Sequence, residues 1–461
     1  MRSLRLAGRP AFIDGIEAVP AESVAVGLES AKRGFTGPDK ALVAILTGRD
    51  LPGLLAYLAA LELGHAVLVK ESPDTAARDA LLDTYRPEFV VDAGTEPVPA
   101  GYRVAGGLCG ARVLRSETRA DSAMHPELAA LITTSGSLGR PKVVRLSYAN
   151  LAANADSIVA SLGIRSSDVG ITSLPFDYSF GLSIVNTHLV AGAPLVLSRL
   201  SLTSRRFWQV CGRTGVSNLG AVPMTYRLLH STGWRPAGFP ALRIAYQAGG
   251  ALEPALVEHF GRLMADHGGG FCPMYGATEA TARMCCLTPG ELFDHLGSVG
   301  RPVPGGRVWL RDVTEDGVGE IVYQGPNVMM GYAFSRADLA SGHMVGDVLH
   351  TGDLGRLDRG ILHVVGRKDR QIKLYGRRIL SDEIERRLAV VGPAAVLPMP
   401  GDSAVVFVEG SGEQFRAVWL DVLRTLELPA ECLPLRAVAS LPRTGSGKID
   451  LNNLRILADA L

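Results

Sequence analysis

Two lysines in this sequence each close a loop of glycines and hydroxyls: Thr134-Ser135-Gly136-Ser137-Leu138-Gly139-Arg140-Pro141-Lys142 and Thr444-Gly445-Ser446-Gly447-Lys448. Glycines let the backbone aim its N–H groups at an anion, hydroxyls add donors, and a lysine adds a mobile positive charge. These are the parts of a phosphate cradle. Neither loop is the usual nucleotide P-loop, which needs Gly-Lys-Ser/Thr opening a helix. Pro141 precedes Lys142, and Pro442 and Ile449 break the pattern around the second loop. The plainer reading of both is a surface loop, which Ser/Gly/Pro clusters usually are.

Two acidic clusters answer these lysines. Tyr275-Gly276-Ala277-Thr278-Glu279 follows an apolar run, and a strand end with a glycine turn is where α/β sheets bind ligands. Glu279 could give one hard oxygen to Mg²⁺ and Thr278 a hydroxyl to a phosphate. The alternative is a helix start with Thr278 as cap and Glu279 in its first turn. Thr351-Gly352-Asp353 offers a carboxylate that could accept two ribose hydroxyls, and Arg367 a fork of donors for a phosphate or ribose oxygen. Both could equally be exposed turns carrying solvated charge.

The elements that must carry these residues read as α/β. Apolar runs at 41–46, 66–69, 89–91 and 128–132 alternate with helical patterns at 51–63, 75–85 and 147–162. Such alternation predicts a parallel sheet covered on both faces. Strands are expected again at 169–174, 193–197, 242–246 and 271–275, with helices at 183–190 and 254–265. Past Gly297, short strands between Gly/Pro/Asp turns predict an antiparallel β-subdomain over about 297–366. A small α+β unit follows, with helices at 382–390 and 414–426 and a strand at 404–408. The expected division is a large domain, 1–369, and a small one, 370–461, meeting at Asp369 in a charged, hinge-like segment.

Composition narrows the class. At 461 residues the chain exceeds what one core organises. A net charge of +1 from 47 basic and 46 acidic residues argues against a nucleic-acid-coating surface. None of the six cysteines stands in a C-x-x-C pair, so neither zinc nor a dense disulfide framework is suggested. No run approaches a membrane span, and the first residues lack a signal-peptide core. A cytoplasmic protein with reduced thiols is expected.

In this order and spacing the motifs resemble those of the adenylate-forming superfamily: acyl-CoA synthetases, peptide-synthetase adenylation domains and firefly luciferases. The resemblance covers essentially the whole chain. It rests on Thr134–Lys142, Tyr275–Glu279, Gly319-Glu320 with Gly325–Tyr332, Thr351–Asp353, Gly366-Arg367 through Ile379, Glu383–Glu385 and Thr444–Lys448. It implies a large N-terminal domain and a small mobile C-terminal one, with ATP and Mg²⁺ bound between them. Thr134, Ser135, Gly136, Ser137, Gly139 and Lys142 would form the phosphate loop. Glu279 would be the metal ligand, and Thr278 would bind the α-phosphate. Gly249, Gly250, Tyr275 and Gly276 would border the adenine, and Asp353 with Arg367 the ribose. Lys448 would bridge the substrate oxyanion and the α-phosphate, Asp369 would be the hinge, and Gly376 would face a thiol tunnel. The implied reaction is ATP-dependent activation of a carboxylic acid as acyl-adenylate, then transfer to the thiol of coenzyme A or of a phosphopantetheine carrier protein.

The acid is less legible. Leu174-Pro175-Phe176-Asp177-Tyr178-Ser179-Phe180-Gly181-Leu182-Ser183 lies where the superfamily builds its acyl pocket, and it admits two registers. In one, Pro175 and Leu182-Ser183 anchor the pocket of an acyl or aryl-acid ligase, with Tyr178 as its aromatic and Ser179 beside the substrate. In the other, Asp177 holds the amino group of an amino acid or amino-aryl acid, as a buried carboxylate needing a partner would. A non-thiol acceptor, for example activation of nitrite in diazotisation, is a further alternative. Leu138 and Val143 replace the family's usual Thr and Gly, predicting a stiffer phosphate loop with its backbone donors intact. The C-terminal unit is short and carries no carrier-protein segment, so a stand-alone ligase is expected.

Overall fold

The computed structural model describes residues 12–37, 39–71, 73–118, 123–133, 142–374, 377–399, 403–443 and 449–459. The chain divides into two compact units, 1–308 with 323–349, and 309–322 with 350–461. The strands that carry Asp353 and Arg367 therefore group with the C-terminal part, whereas the sequence suggested a cut at Asp369.

The first unit is built on an eight-stranded mixed sheet. Its strand order is Gly331–Ala333, Val143–Ser147, Leu128–Thr133, Ala66–Val69, Leu42–Ile45, Phe89–Asp92, Ala111–Ser116 and Tyr102–Leu108. Ala66–Val69, Leu42–Ile45, Phe89–Asp92 and Leu128–Thr133 run parallel, and their apolar residues are buried almost without exception. That is the sequence signature of strands covered on both faces. The hairpin Tyr102–Leu108 with Ala111–Ser116 has no strong alternation and was not expected. Asp50 caps the helix Leu51–Glu62 through Gly53 N–H at 2.9 Å, and Ser147 with Asn150 forms a capping box on Tyr148–Leu162.

A second sheet orders Asn218–Ala221, Ile244–Gln247, Gly270–Tyr275, Cys285–Cys286 and Arg301–Pro302, the first three parallel. The helix Ser179–Ala191 is buried at every position from Ser179 to Leu189. A helix apolar all round belongs inside, between layers, and this one starts four residues earlier than its pattern suggested. The strand expected at 169–174 shrinks to Gly170–Ile171, after which the chain turns through Asp177 into that helix.

The second unit contains most of the β-sheet Arg307–Arg311, Gly319–Gln324, Val348–Asp358 and Ile361–Arg367, apart from residues 307–308, 323–324 and 348–349 at its strand ends. It also holds a three-stranded sheet, Ala394–Met399, Ser403–Glu409 and Leu435–Val438. Helices Ser381–Leu388 and Gly412–Thr425 pack on the latter through Ile384, Leu388, Phe415 and Val422. Arg370 ties this unit together, reaching Asp382 at 3.1 Å and also Glu385, which accepts the Val396 N–H at 2.6 Å.

Candidate functional site

Glu279 stands on a single 3₁₀ turn, Thr278–Ala280, directly after the strand Gly270–Tyr275. Gly276 makes that turn possible: a Cβ there would lie 1.8 Å from the Ala282 carbonyl oxygen. Thr278 is therefore not a helix cap; Ala277 occupies that position without a side-chain bond. The turn is clamped from outside by the segment 327–332. Asn327 Nδ2 donates to the carbonyls of Ala280 and Arg283 at 2.8 and 2.9 Å, Thr281 Oγ1 donates to Asn327 O at 2.7 Å, and Met329 N–H donates to Glu279 O at 2.9 Å.

Tyr332 completes the clamp. Its hydroxyl donates to Glu279 Oε1 at 2.8 Å, and the Lys142 ammonium sits 4.1 Å from its ring centroid. Tyr332 pairs with Val144 across antiparallel strands, so one backbone register sets the ring beside both charges. Glu279 makes no other side-chain hydrogen bond among the described residues, leaving its second oxygen for a cation. Among those residues no cluster of three or more acidic, Cys or His ligands exists. A single available carboxylate oxygen fits Mg²⁺, which binds through one or two carboxylates plus phosphate oxygens, and does not fit an all-protein metal cage.

On the other side of the turn, Ser179 Oγ lies 3.0 Å from Thr278 Oγ1. Of the four expected pocket residues, Ser179 is thus joined to Thr278, the threonine expected to meet the α-phosphate. Ser183 donates within its own helix to Phe180 O at 2.7 Å. Asp177 is a turn residue ion-paired with Lys70 at 2.7 Å. Tyr178 reaches Gly249, where a Cβ would come within 2.3 Å of its hydroxyl, and Gly249 holds φ +88°. Gly250 O accepts from Gln247 Nε2 at 2.6 Å, which shapes the loop beside Tyr178. Burial raises the Tyr178 phenol above its ordinary range, although the nearby Arg283 charge pulls it back, so it stays a neutral donor.

In the second unit Asp353 and Arg367 face each other across adjacent antiparallel strands, with Arg367 Nε 3.5 Å from Asp353 Oδ1. Asp353 N–H donates to Thr351 Oγ1 at 3.0 Å, Gly352 turns at φ +70°, and Gly352 N–H points to Glu320 Oε1 at 3.3 Å. Lys368 neutralises Glu320 at 3.2 Å, and Arg367 also reaches Asp369 at 3.1 Å. Thr134, Ser135, Gly136, Ser137, Gly139, Gly376 and Lys448 lie outside the described residues.

Sequence reasoning did not assign Tyr332, Asn327 or Lys70 to this region. The first two sat inside the quoted Gly325–Tyr332 motif without a role, and Lys70 gave no signal beyond ending a buried strand.

Residues 20–333 match the family described as AMP-binding enzyme. The chain belongs to that family. Among relatives of this AMP-binding enzyme, the 2-succinylbenzoate–CoA ligase of Bacillus thuringiensis subsp. konkukian is 31% identical over 356 residues, covering 73% of this chain and 71% of the relative. An isonitrile lipopeptide synthase of Streptomyces coeruleorubidus is 31% identical over 464 residues, spanning 90% of this chain but 30% of its own length. The fold is shared with o-succinylbenzoate CoA synthetase of Bacillus subtilis in complex with the acyl-adenylate OSB-AMP, at TM-score 0.78 and 23% identity, covering 98% of this chain and 96% of that one. ATP-bound MatB from Rhodopseudomonas palustris matches at TM-score 0.76 and 23% identity, covering 97% and 95%. The chain is an adenylate-forming acid–thiol ligase, as its motifs led one to expect.

Proposed function

We propose that the chain activates a small carboxylic acid with ATP and Mg²⁺ and passes the acyl group to coenzyme A. The observation that supports this most directly is the Lys142–Tyr332–Glu279 chain, which presents a cation and one carboxylate oxygen beside a threonine hydroxyl. An acid attacking the α-phosphate brings two anions together, so the developing charge needs donors and cations already in place. Mg²⁺ at Glu279 would supply positive charge at the phosphates. Lys142 leaves the Tyr332 ring for a phosphate oxygen when the nucleotide enters. Thr278 donates its hydroxyl to the α-phosphate; the Ser179 hydroxyl, 3.0 Å away, can act as donor to Thr278 and leave the threonine proton free to turn toward the anion. Asp353 accepts the ribose hydroxyls, held by the Thr351 and Gly352 turn, and Arg367 stands beside them. Gly249, Gly250, Tyr275 and Gly276 border the adenine, Lys448 carries the adenylation step, Asp369 is the hinge, and Gly376 lies on the path of the thiol.

The amine-bearing substrate loses its support here. Asp177 would be its anchor, and Asp177 is already paired with Lys70. A carrier-protein pantetheine is the finer alternative to coenzyme A as acceptor. The working compartment we propose is the cytoplasm, in keeping with six free cysteines; no described helix is long and apolar enough to cross a membrane.

Pyrophosphate release from ATP over a panel of acids tests the reading, with and without coenzyme A. Release that depends on both acid and Mg²⁺ is expected, with Glu279→Gln and Lys448→Ala each slowing it about 10²–10³-fold. Absence of release with every acid sinks it. Lys448→Ala should still convert supplied acyl-adenylate to thioester, and equal loss of both half-reactions would refute its assignment.

A further inference from the structure

Buried arginines in this fold find oxygen acceptors. Arg145 is fully enclosed and donates to the carbonyls of Tyr332, Met330 and Gly342 at 3.2, 3.4 and 3.2 Å, and also to Ser341 O. Arg336 pairs with Glu88 at 2.6 Å. Arg283 is different. It is 2% exposed, yet among the described residues its guanidinium makes one weak hydrogen bond, to Ala282 O at 3.2 Å, and its Nε has no partner. The ionisable groups near its charge are Tyr246, Tyr178 and Cys286, none of them a carboxylate. Burial lowers its pKa to about 10, so it remains a cation at neutral pH. A buried charge without a counter-ion is costly, and its natural partner is an anion brought in from outside.

On the ligase reading, the side chain lies beside the segment 174–183 expected to build the acyl pocket. Its Cζ sits 3.7 Å from the centroid of Phe180, whose ring lies 6.2 Å from Tyr178 and 6.0 Å from Tyr246. Ser179, one residue earlier, faces Thr278 and so marks the reacting end. Successive helical residues diverge by about 100°, so Phe180, with the arginine on it, projects from a different side of the helix than Ser179. The carboxylates of this region are committed, Asp177 to Lys70 and Glu71 to Arg49 and the Phe176 N–H, so the charge left for a substrate's far end is positive.

We propose that Arg283 is a specificity-determining residue: it pairs with a second anionic group, a carboxylate or equivalent oxyanion, on the end of the acid remote from the carboxylate that is activated. Tyr178, half-buried between Phe180 and Gly249, is the ring on which such an acid packs as it reaches Arg283. This inference rests on the ligase reading above and names its substrate class.

Pyrophosphate release should be measured for matched pairs, each a dicarboxylic acid and its distal monoamide, with wild type, Arg283→Lys and Arg283→Met. Wild type is expected to favour the diacid by about 10²-fold in kcat/KM, in line with the effect of breaking a buried ion pair. Arg283→Met should erase that preference by losing the diacid alone, and Arg283→Lys should keep part of it. Wild type indifferent to the tail, or Arg283→Met lowering both members of a pair alike, overturns the proposal. If Arg283→Met does not fold, the wild-type preference and Arg283→Lys decide. No release with any acid would instead refute the ligase reading itself.

Discussion

Tyr332 donates its hydroxyl hydrogen to Glu279 at 2.8 Å, so one oxygen of that carboxylate is spoken for, and on the proposed reading the other is aimed at Mg²⁺. Groups that orient a ligand in this way typically change metal affinity by about 10–100-fold when removed. Tyr332→Phe keeps the ring under Lys142 and removes the donor alone. Its half-saturating Mg²⁺ should rise roughly 10-fold or more, with ATP affinity in the absence of metal unchanged. Electron paramagnetic resonance titration of Mn²⁺ with ATP bound gives the same comparison without turnover.

The Ser179–Thr278 hydroxyl pair makes a second prediction. If Ser179 orients the threonine proton, Ser179→Ala should lower kcat about 10-fold and leave the nucleotide Kd nearly unchanged. Thr278→Ala should cost about 10²–10³-fold, the range for one preorganised donor. Adding Ser179→Ala to Thr278→Ala should then cost little more, since contacting residues are not additive. Full additivity in the four-variant cycle would separate the two.

Gly249→Ala tests the loop beside the pocket. The position needs φ +88°, and a Cβ would meet the Tyr178 hydroxyl at 2.3 Å. The backbone part costs about 1–2 kcal/mol for a residue with a Cβ. The steric part should appear as a raised KM for the acid. Combining it with Tyr178→Phe, which removes the clashing oxygen, should restore KM but not the melting temperature.

Stability should fall in acid through Asp168. Burial alone would raise its pKa, but bonds from Arg243 at 3.1 and 2.6 Å, Arg165 N–H at 2.8 Å and Ser217 at 3.1 Å hold it below the ordinary carboxylate value. A folded pKa below the unfolded one means its contribution is complete above about pH 4 and is lost as pH falls through the folded value. Asp168→Asn should cost about 1.5–3 kcal/mol in denaturant unfolding at pH 7 and flatten the pH dependence below about 4.

The parts of the site visible in the sequence were those whose chemistry is local. Gly276, Thr278 and Glu279 announce a turn and a carboxylate by their order alone, and the buried strands announce themselves by unbroken apolar runs. The parts that were not visible depend on register. Tyr332 reaches Glu279 because Gly331–Ala333 pairs with Val143–Ser147, and no local pattern states which strand a three-residue segment will join. Lys70 and Asp177 meet through the ends of a strand and a helix far apart in sequence. Arg283 is not legible in the sequence, because a lone arginine in an apolar stretch gives no sign that the ionisable groups near it are all neutral. Its significance appears when burial and partners are counted together.

The short strand Gly331–Ala333 also sets a timetable. Arg145 and Tyr332 are 187 positions apart, and the carbonyls that receive the Arg145 guanidinium come from residues 330–342. While the chain is being made, the strand Val143–Ser147 must wait, its buried arginine without these acceptors, until the ribosome has passed this late segment. Pairings of such long range are slow and come late in folding. The same closing strand delivers Tyr332 to Glu279, so in a nascent chain that carboxylate has no hydroxyl to orient it before the sheet is sealed.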